Sequence, residues 1–134
     1  MTKEEKLEVM KEANKALEST YSPYSKFAVG AAIKMNDGTV IHGANIENAA
    51  YGLCICAERV AMFSMHMKGY KGSDVVAMAV TGNTKAPISP CGSCRQVMSE
   101  LLTLDTKILL TNTDLDLKET TVKELLPYSF EDFE

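Results

Sequence analysis

Basic charge is scarce in this chain. Its 134 residues carry 14 Lys and Arg against 18 Asp and Glu, a formal charge of −4, and the isoelectric point is near 5.2. Phosphate backbones are gripped by clustered cations, whereas the lysines here are dispersed among acids; no nucleic-acid partner is expected. Long apolar runs are also missing. The longest, 27–33 and 75–80, fall far short of the roughly 20 residues of a membrane-spanning helix, and residues 1–5 are too polar for a signal peptide. No membrane association is expected either. Repeats, low-complexity tracts and interdomain linkers are absent, so 1–134 reads as one domain, large enough for a single core with about two thirds of its surface buried. Histidine occurs only at His42 and His66, both outside any motif and read as structural.

What the chain does have is cysteine in two short stretches, Cys56-Ala57-Glu58 and Pro90-Cys91-Gly92-Ser93-Cys94. Cys91 and Cys94 are three apart, so at the start of a helix both sulfurs face one side and can hold a small metal ion, with Cys56 completing the set from elsewhere. Three protein ligands leave a tetrahedral ion one open position, as in catalytic zinc centres that activate water. Glu58 is then the spare carboxylate beside that position. Two residues along a helix turn a side chain by roughly 200°, so Cys56 and Glu58 converge only if Cys56 stands at a helix entrance. Helix N-termini favour anions and depress thiol pKa. The same cysteines also allow a closed all-cysteine zinc site with Cys54 as fourth ligand, or a redox C-x-x-C pair with Cys56 incidental. Neither has a use for Glu58. Three thiolates fit a reducing cytoplasm, the expected location.

Around these motifs the pattern predicts alternating helices and strands. Thr2 and Glu5 form a capping box ahead of Leu7, Met10, Ala13 and Leu17 at helical spacing, predicting a helix that ends near Thr20. Residues 27–35 and 39–43 read as a hairpin about Asn36-Asp37-Gly38. A loop over 45–51 leads into a mostly apolar helix over 53–67, closed by Lys68-Gly69. The stretch 75–81 reads as a strand covered on both faces, 93–104 as a helix, 107–111 as a strand and 115–117 as a short one. Thr121 with Glu124 caps a last short helix stopped by Pro127. This order predicts a mixed α/β sheet with helices on both sides, parallel wherever a strand–helix–strand crossover joins neighbours.

Further stretches extend the pattern over nearly the whole chain: Ser25-Lys26-Phe27, Val29-Gly30-Ala31, Asn45-Ile46-Glu47-Asn48-Ala49-Ala50-Tyr51, Arg59, Cys94-Arg95-Gln96 and Glu124-Leu125-Leu126-Pro127. With them the chain resembles the cytidine deaminases of the small, three-cysteine type. The resemblance implies a three-layer α/β/α sandwich of about five strands, one Zn²⁺ per chain on Cys56, Cys91 and Cys94, and Glu58 as the proton carrier. It implies hydrolysis of cytidine and deoxycytidine to uridine and deoxyuridine, with release of ammonia, in pyrimidine salvage. Asn45 and Glu47 fall at the ribose contacts, Phe27 at a position packing on base or sugar, and the Ala57 backbone against the pyrimidine. Three thiolates on Zn²⁺ leave an excess negative charge, which Arg59, and in the same way Arg95, is expected to offset by hydrogen-bonding a ligand sulfur. The resemblance further implies a homotetramer with shared active sites, Phe130 reaching an adjoining subunit's site from an aromatic tail of Tyr128, Phe130 and Phe133. Tyr128-Ser129 depart from the pair of small residues usual there. Alternative readings are a deaminase of another aminopyrimidine nucleoside, such as a nucleoside antibiotic, and a non-catalytic zinc-stabilised binding module. Asn-x-Glu-Asn disfavours the first, and the second has no need of Glu58.

Overall fold

Two apolar faces on the central strands set the architecture. In the computed structural model, which describes residues 1–132, five strands form one sheet in the order β2-β1-β3-β4-β5. They are β1 (Val29–Met35), β2 (Val40–Ala44), β3 (Val75–Gly82), β4 (Lys107–Leu110) and β5 (Lys118–Thr121). Side chains alternate across a strand, and the residues facing the two sides differ in size. Ala32, Ala77, Ala79 and Leu109 meet Val9, Met10 and Ala13 of helix α1 (Lys3–Ala16). Ile33, Met78, Val80, Ile108 and Leu110 face the larger core layer, with Ala61, Met62 and Met65 of α2 (Ala57–Met67) and Met98 of α3 (Gly92–Leu101). Short alanines let α1 lie close to the sheet, while longer side chains fill the opposite layer. The result is the expected three-layer α/β/α arrangement with a mixed five-stranded sheet.

The hairpin forms as its turn residues dictate: Gly38 takes a φ of 89°, which glycine tolerates without a Cβ clash, and β1 and β2 pair antiparallel from Gly30↔Ala44 to Lys34↔Val40. β1 is antiparallel to β3, and β3 is parallel to β4 across the α3 crossover. The α2 crossover does not join neighbours, because β1 lies between β2 and β3. The Thr2–Glu5 capping box is formed in both directions, at 3.1 and 3.2 Å.

Several boundaries depart from the sequence reading: α3 ends at Leu101 rather than 104, and β1 begins at Val29 rather than 27. Helix α2 begins at Ala57 rather than Leu53, because 51–53 close a separate 3₁₀ turn and Ile55 pairs with Ile46. The final strand lies at Lys118–Thr121, not 115–117, and its Thr121 also caps α4 (Val122–Leu125). Among the described residues no helix is long and apolar enough to cross a membrane.

Candidate active site

The sulfurs meet because two helices start side by side. Cys56 is the N-cap of α2 and Cys91 the N-cap of α3, both with extended backbone and neither capping its own helix. Serine, threonine, aspartate or asparagine at these positions would satisfy helix N–H groups; cysteine leaves its sulfur for another partner. Cys94 lies in the first turn of α3 and is buried. The three Sγ atoms lie within 4.8 Å of one another, and Cys56 Sγ stands 3.8 Å from Cys91 Sγ. Tetrahedral zinc with Zn–S bonds of about 2.3 Å requires sulfurs about 3.8 Å apart. The donor set therefore fits zinc, with Cys56, Cys91 and Cys94 as the ligands.

Gly43 allows this placement. A Cβ there would lie 2.3 Å from the Ala57 carbonyl oxygen and 2.6 Å from the Ala61 nitrogen, so only glycine on β2 lets the first turn of α2 sit so close.

The thiols already share protons unevenly. Hydrogen bonding from Cys94, then from Arg59 and Cys91, brings Cys56 down to about 5 despite burial. Cys94 is pushed up by its shared proton with Cys56, by burial and by the nearby Glu58 charge. Arg59 Nη2 donates to Cys56 Sγ at 3.3 Å, and that sulfur raises the guanidinium pKa further. Arg95 instead donates to oxygen: to the carbonyls of Pro90 and Leu125, both at 2.9 Å, and to Ser89 Oγ at 2.7 Å. It ties the approach to Cys91 to the end of α4. Glu58, in the first turn of α2, is 4% exposed. Burial raises its pKa, with the Cys56 charge adding to the effect.

Cys56, Ala57, Glu58, Arg59 and Cys91 open on a cavity of about 400 Å³ that also holds Phe27, Asn45 and Glu47. Residues 45–47 reach it because Ile46 pairs with Ile55, by bonds of 3.0 and 2.9 Å, and with Tyr21 on its other side. Phe27, 43% exposed, presents its side chain to the cavity rather than to the core. Asn45 is engaged by backbone: Nδ2 donates to the Phe27 carbonyl at 2.8 Å and Oδ1 accepts from Val29 N–H at 3.0 Å. Glu47 accepts from the N–H groups of Tyr24 and Ser25 and from the Ser25 hydroxyl. Cys54 bonds the Asn48 backbone and lines the cavity outside the sulfur cluster. Phe130 is 57% exposed; its carbonyl accepts from Gln96 Nε2 at 2.9 Å. Phe133 lies outside the described residues. The cavity also contains Ser25, Val29, Ile55, Ile88 and Ser89, to which the sequence reading gave no role. Ser25 and Val29 stood inside stretches that carry the resemblance; for the others the sequence carries no signal beyond proximity to the motifs.

Comparison with known proteins gives a consistent family. Residues 3–110 match the model of the cytidine and deoxycytidylate deaminase zinc-binding region. The chain is similar to the cytidine deaminase of Halalkalibacterium halodurans, 57% identical over 122 residues that span 91% of each protein. It is 49% identical to that of Sporosarcina psychrophila over 119 residues, 89% of this chain and 86% of the relative. The crystal structure of a cytidine deaminase from Burkholderia pseudomallei superposes with a TM-score of 0.90 at 48% identity, covering 97% of this chain and all of that one.

Proposed function

The chain belongs to the family of cytidine and deoxycytidylate deaminases, and from that premise we infer that it is a zinc-dependent hydrolase converting cytidine and deoxycytidine, with water, to uridine, deoxyuridine and ammonia. The observation that carries this is a buried carboxyl group beside three converging sulfurs, two of which, Cys56 and Cys91, line a nucleoside-sized cavity. When bound by Cys56, Cys91 and Cys94, zinc supplies a Lewis acid that makes water nucleophilic near neutral pH. Glu58 takes a proton from the attacking water and delivers it to the ring nitrogen next to the amino-bearing carbon; it then takes the remaining proton of the added hydroxyl and passes it to the departing amino group, which leaves as ammonia. Burial raises the proton affinity of Glu58 above that of a solvated carboxylate.

The remaining residues bind and tune. Arg59 offsets the excess negative charge of three thiolates on a divalent ion by its bond to Cys56 Sγ. Arg95 acts on the loop that presents Cys91, through the Ser89 and Pro90 contacts. Glu47 accepts a sugar hydroxyl and repels a phosphate in its place, favouring nucleosides over nucleotides. Asn45 braces the segment that leads from Phe27 into β1, and Phe27 packs on the bound nucleoside with the Ala57 backbone. We place the whole chain in one deaminase unit working in pyrimidine salvage in the cytoplasm, as a homotetramer. Incubation with cytidine, deoxycytidine, cytidine monophosphate and adenosine, following ammonia, tests the reading. Release from the first two alone is expected; release from neither counts against it.

A further inference from the structure

Ser25 bridges two residues of the cavity, and none of the chemistry above uses it. Its hydroxyl donates to Glu47 Oε2 and accepts from the Phe27 N–H at 3.0 Å. Glu47 Oε1 accepts from the N–H groups of Tyr24 at 2.9 Å and Ser25 at 3.1 Å. A carboxylate offers about four acceptor positions; these three contacts leave one, on the oxygen that Ser25 holds. Between Ser25 and Phe27, Lys26 takes a φ of 61°, a left-handed conformation disfavoured for any residue with a Cβ. That reversal returns the Phe27 N–H to the Ser25 hydroxyl. The same contacts, the Ser25 hydroxyl first, keep the Glu47 carboxyl below its usual range, so it meets a ligand as a pure acceptor.

We propose that Ser25 is a positioning residue for sugar discrimination: it fixes Glu47 with one acceptor position open toward the cavity and ties Phe27 to the same hydroxyl. A nucleoside's 3′-hydroxyl then completes the carboxylate. Without Ser25 the carboxylate swings about its two backbone donors, and water satisfies it as well as a sugar does. The proposal rests on Glu47 being the group that reads the sugar.

The test is the ratio of kcat/KM for 2′-deoxycytidine to that for 2′,3′-dideoxycytidine. It is measured in the wild type, Glu47→Ala, Ser25→Ala and Ser25→Thr, with zinc content and melting temperature alongside. Ser25 is exposed in the chain, so alanine there is compatible with folding. The wild type should prefer the hydroxylated sugar by at least about tenfold, as for a hydrogen bond to a charged group, and Glu47→Ala should bring the ratio near unity. Ser25→Ala should lower the ratio about fivefold, chiefly through KM, with zinc content unchanged, and Ser25→Thr should restore it. A general loss of structure would slow both substrates alike and leave the ratio in place, which would overturn the proposal. If Glu47→Ala loses discrimination while Ser25→Ala keeps it, the sugar reading stands and the role of Ser25 falls. A wild type that treats both sugars alike removes the sugar reading and this proposal with it.

Discussion

The pKa of the Glu58 carboxyl is raised above its usual range because lost hydration, and after it a neighbouring negative sulfur, disfavour the carboxylate. Glu58→Gln keeps the shape and removes the transferable proton, so kcat for cytidine should fall by roughly 10²- to 10⁴-fold. Zinc measured by mass spectrometry should stay at the wild-type level, and undiminished turnover would contradict the proton-carrier role. Cys91→Ala should behave oppositely, losing metal and activity together, because two thiolates are a poor zinc site. A metal-free variant that still deaminates cytidine would remove zinc from the mechanism. These residues were legible in the sequence because ligand geometry imposes local spacing: Cys91 and Cys94 must share a helix turn, and Cys56 must stand at a helix entrance for Glu58 to converge with it. Arg95 was not. Its partners at Ser89 and Pro90 are near in sequence, but its bond to Leu125 depends on α4 folding back against α3, and adjacency to Cys94 suggested a sulfur partner instead.

At the scale of elements, the site is held by the seating of α2 on β2. Gly43→Ala would drive a methyl into the backbone of Ala57 and Ala61, and overpacking of this kind costs about 1–3 kcal/mol. Because Cys56 and Glu58 ride on the displaced turn, zinc content and kcat/KM should fall along with the melting temperature. The capping box at the other end of the chain offers a contrast: Thr2→Ala should cost about 1 kcal/mol yet leave kcat/KM and zinc content unchanged. If both variants lose stability but only Gly43→Ala loses zinc, the α2 seat is what forms the site; equal zinc retention would mean the sulfurs find one another regardless. Helix α1, the hairpin and strand β3 were readable because capping, turn chemistry and two-sided burial each leave a pattern. Strand β5 was not, since Lys118-Glu119-Thr120-Thr121 is a polar edge whose first two residues are exposed and its pairing is decided by β4. Polar edge residues suit a strand that must not recruit further strands, and they give it the composition of a loop.

Across the described residues, several large apolar side chains are exposed. Met62 and Met65 of α2 are core, but Met67 is 82% exposed, and Tyr51, Leu53, Phe63, Tyr128 and Phe130 also stand open. Exposed apolar surface on this scale fits the proposed homotetramer, in which closed symmetry would bury one patch against its copies. Gln96 holds the Phe130 backbone and leaves the ring's destination to be tested. Glu58→Gln chains lack the proton carrier but keep Phe130; Phe130→Ala chains keep Glu58 but lack the aromatic ring. Each homotetramer should be impaired. In co-expressed mixed tetramers, a Phe130→Ala chain with an intact Glu58 receives a phenylalanine from its Glu58→Gln neighbour, so activity per chain should exceed that of both parents. Native mass spectrometry establishes that mixing has occurred, and ammonia release gives the activity. If the mixture never rises above the average of its parents despite proven co-assembly, Phe130 serves its own chain or no active site at all, because cis action leaves no subunit with both groups.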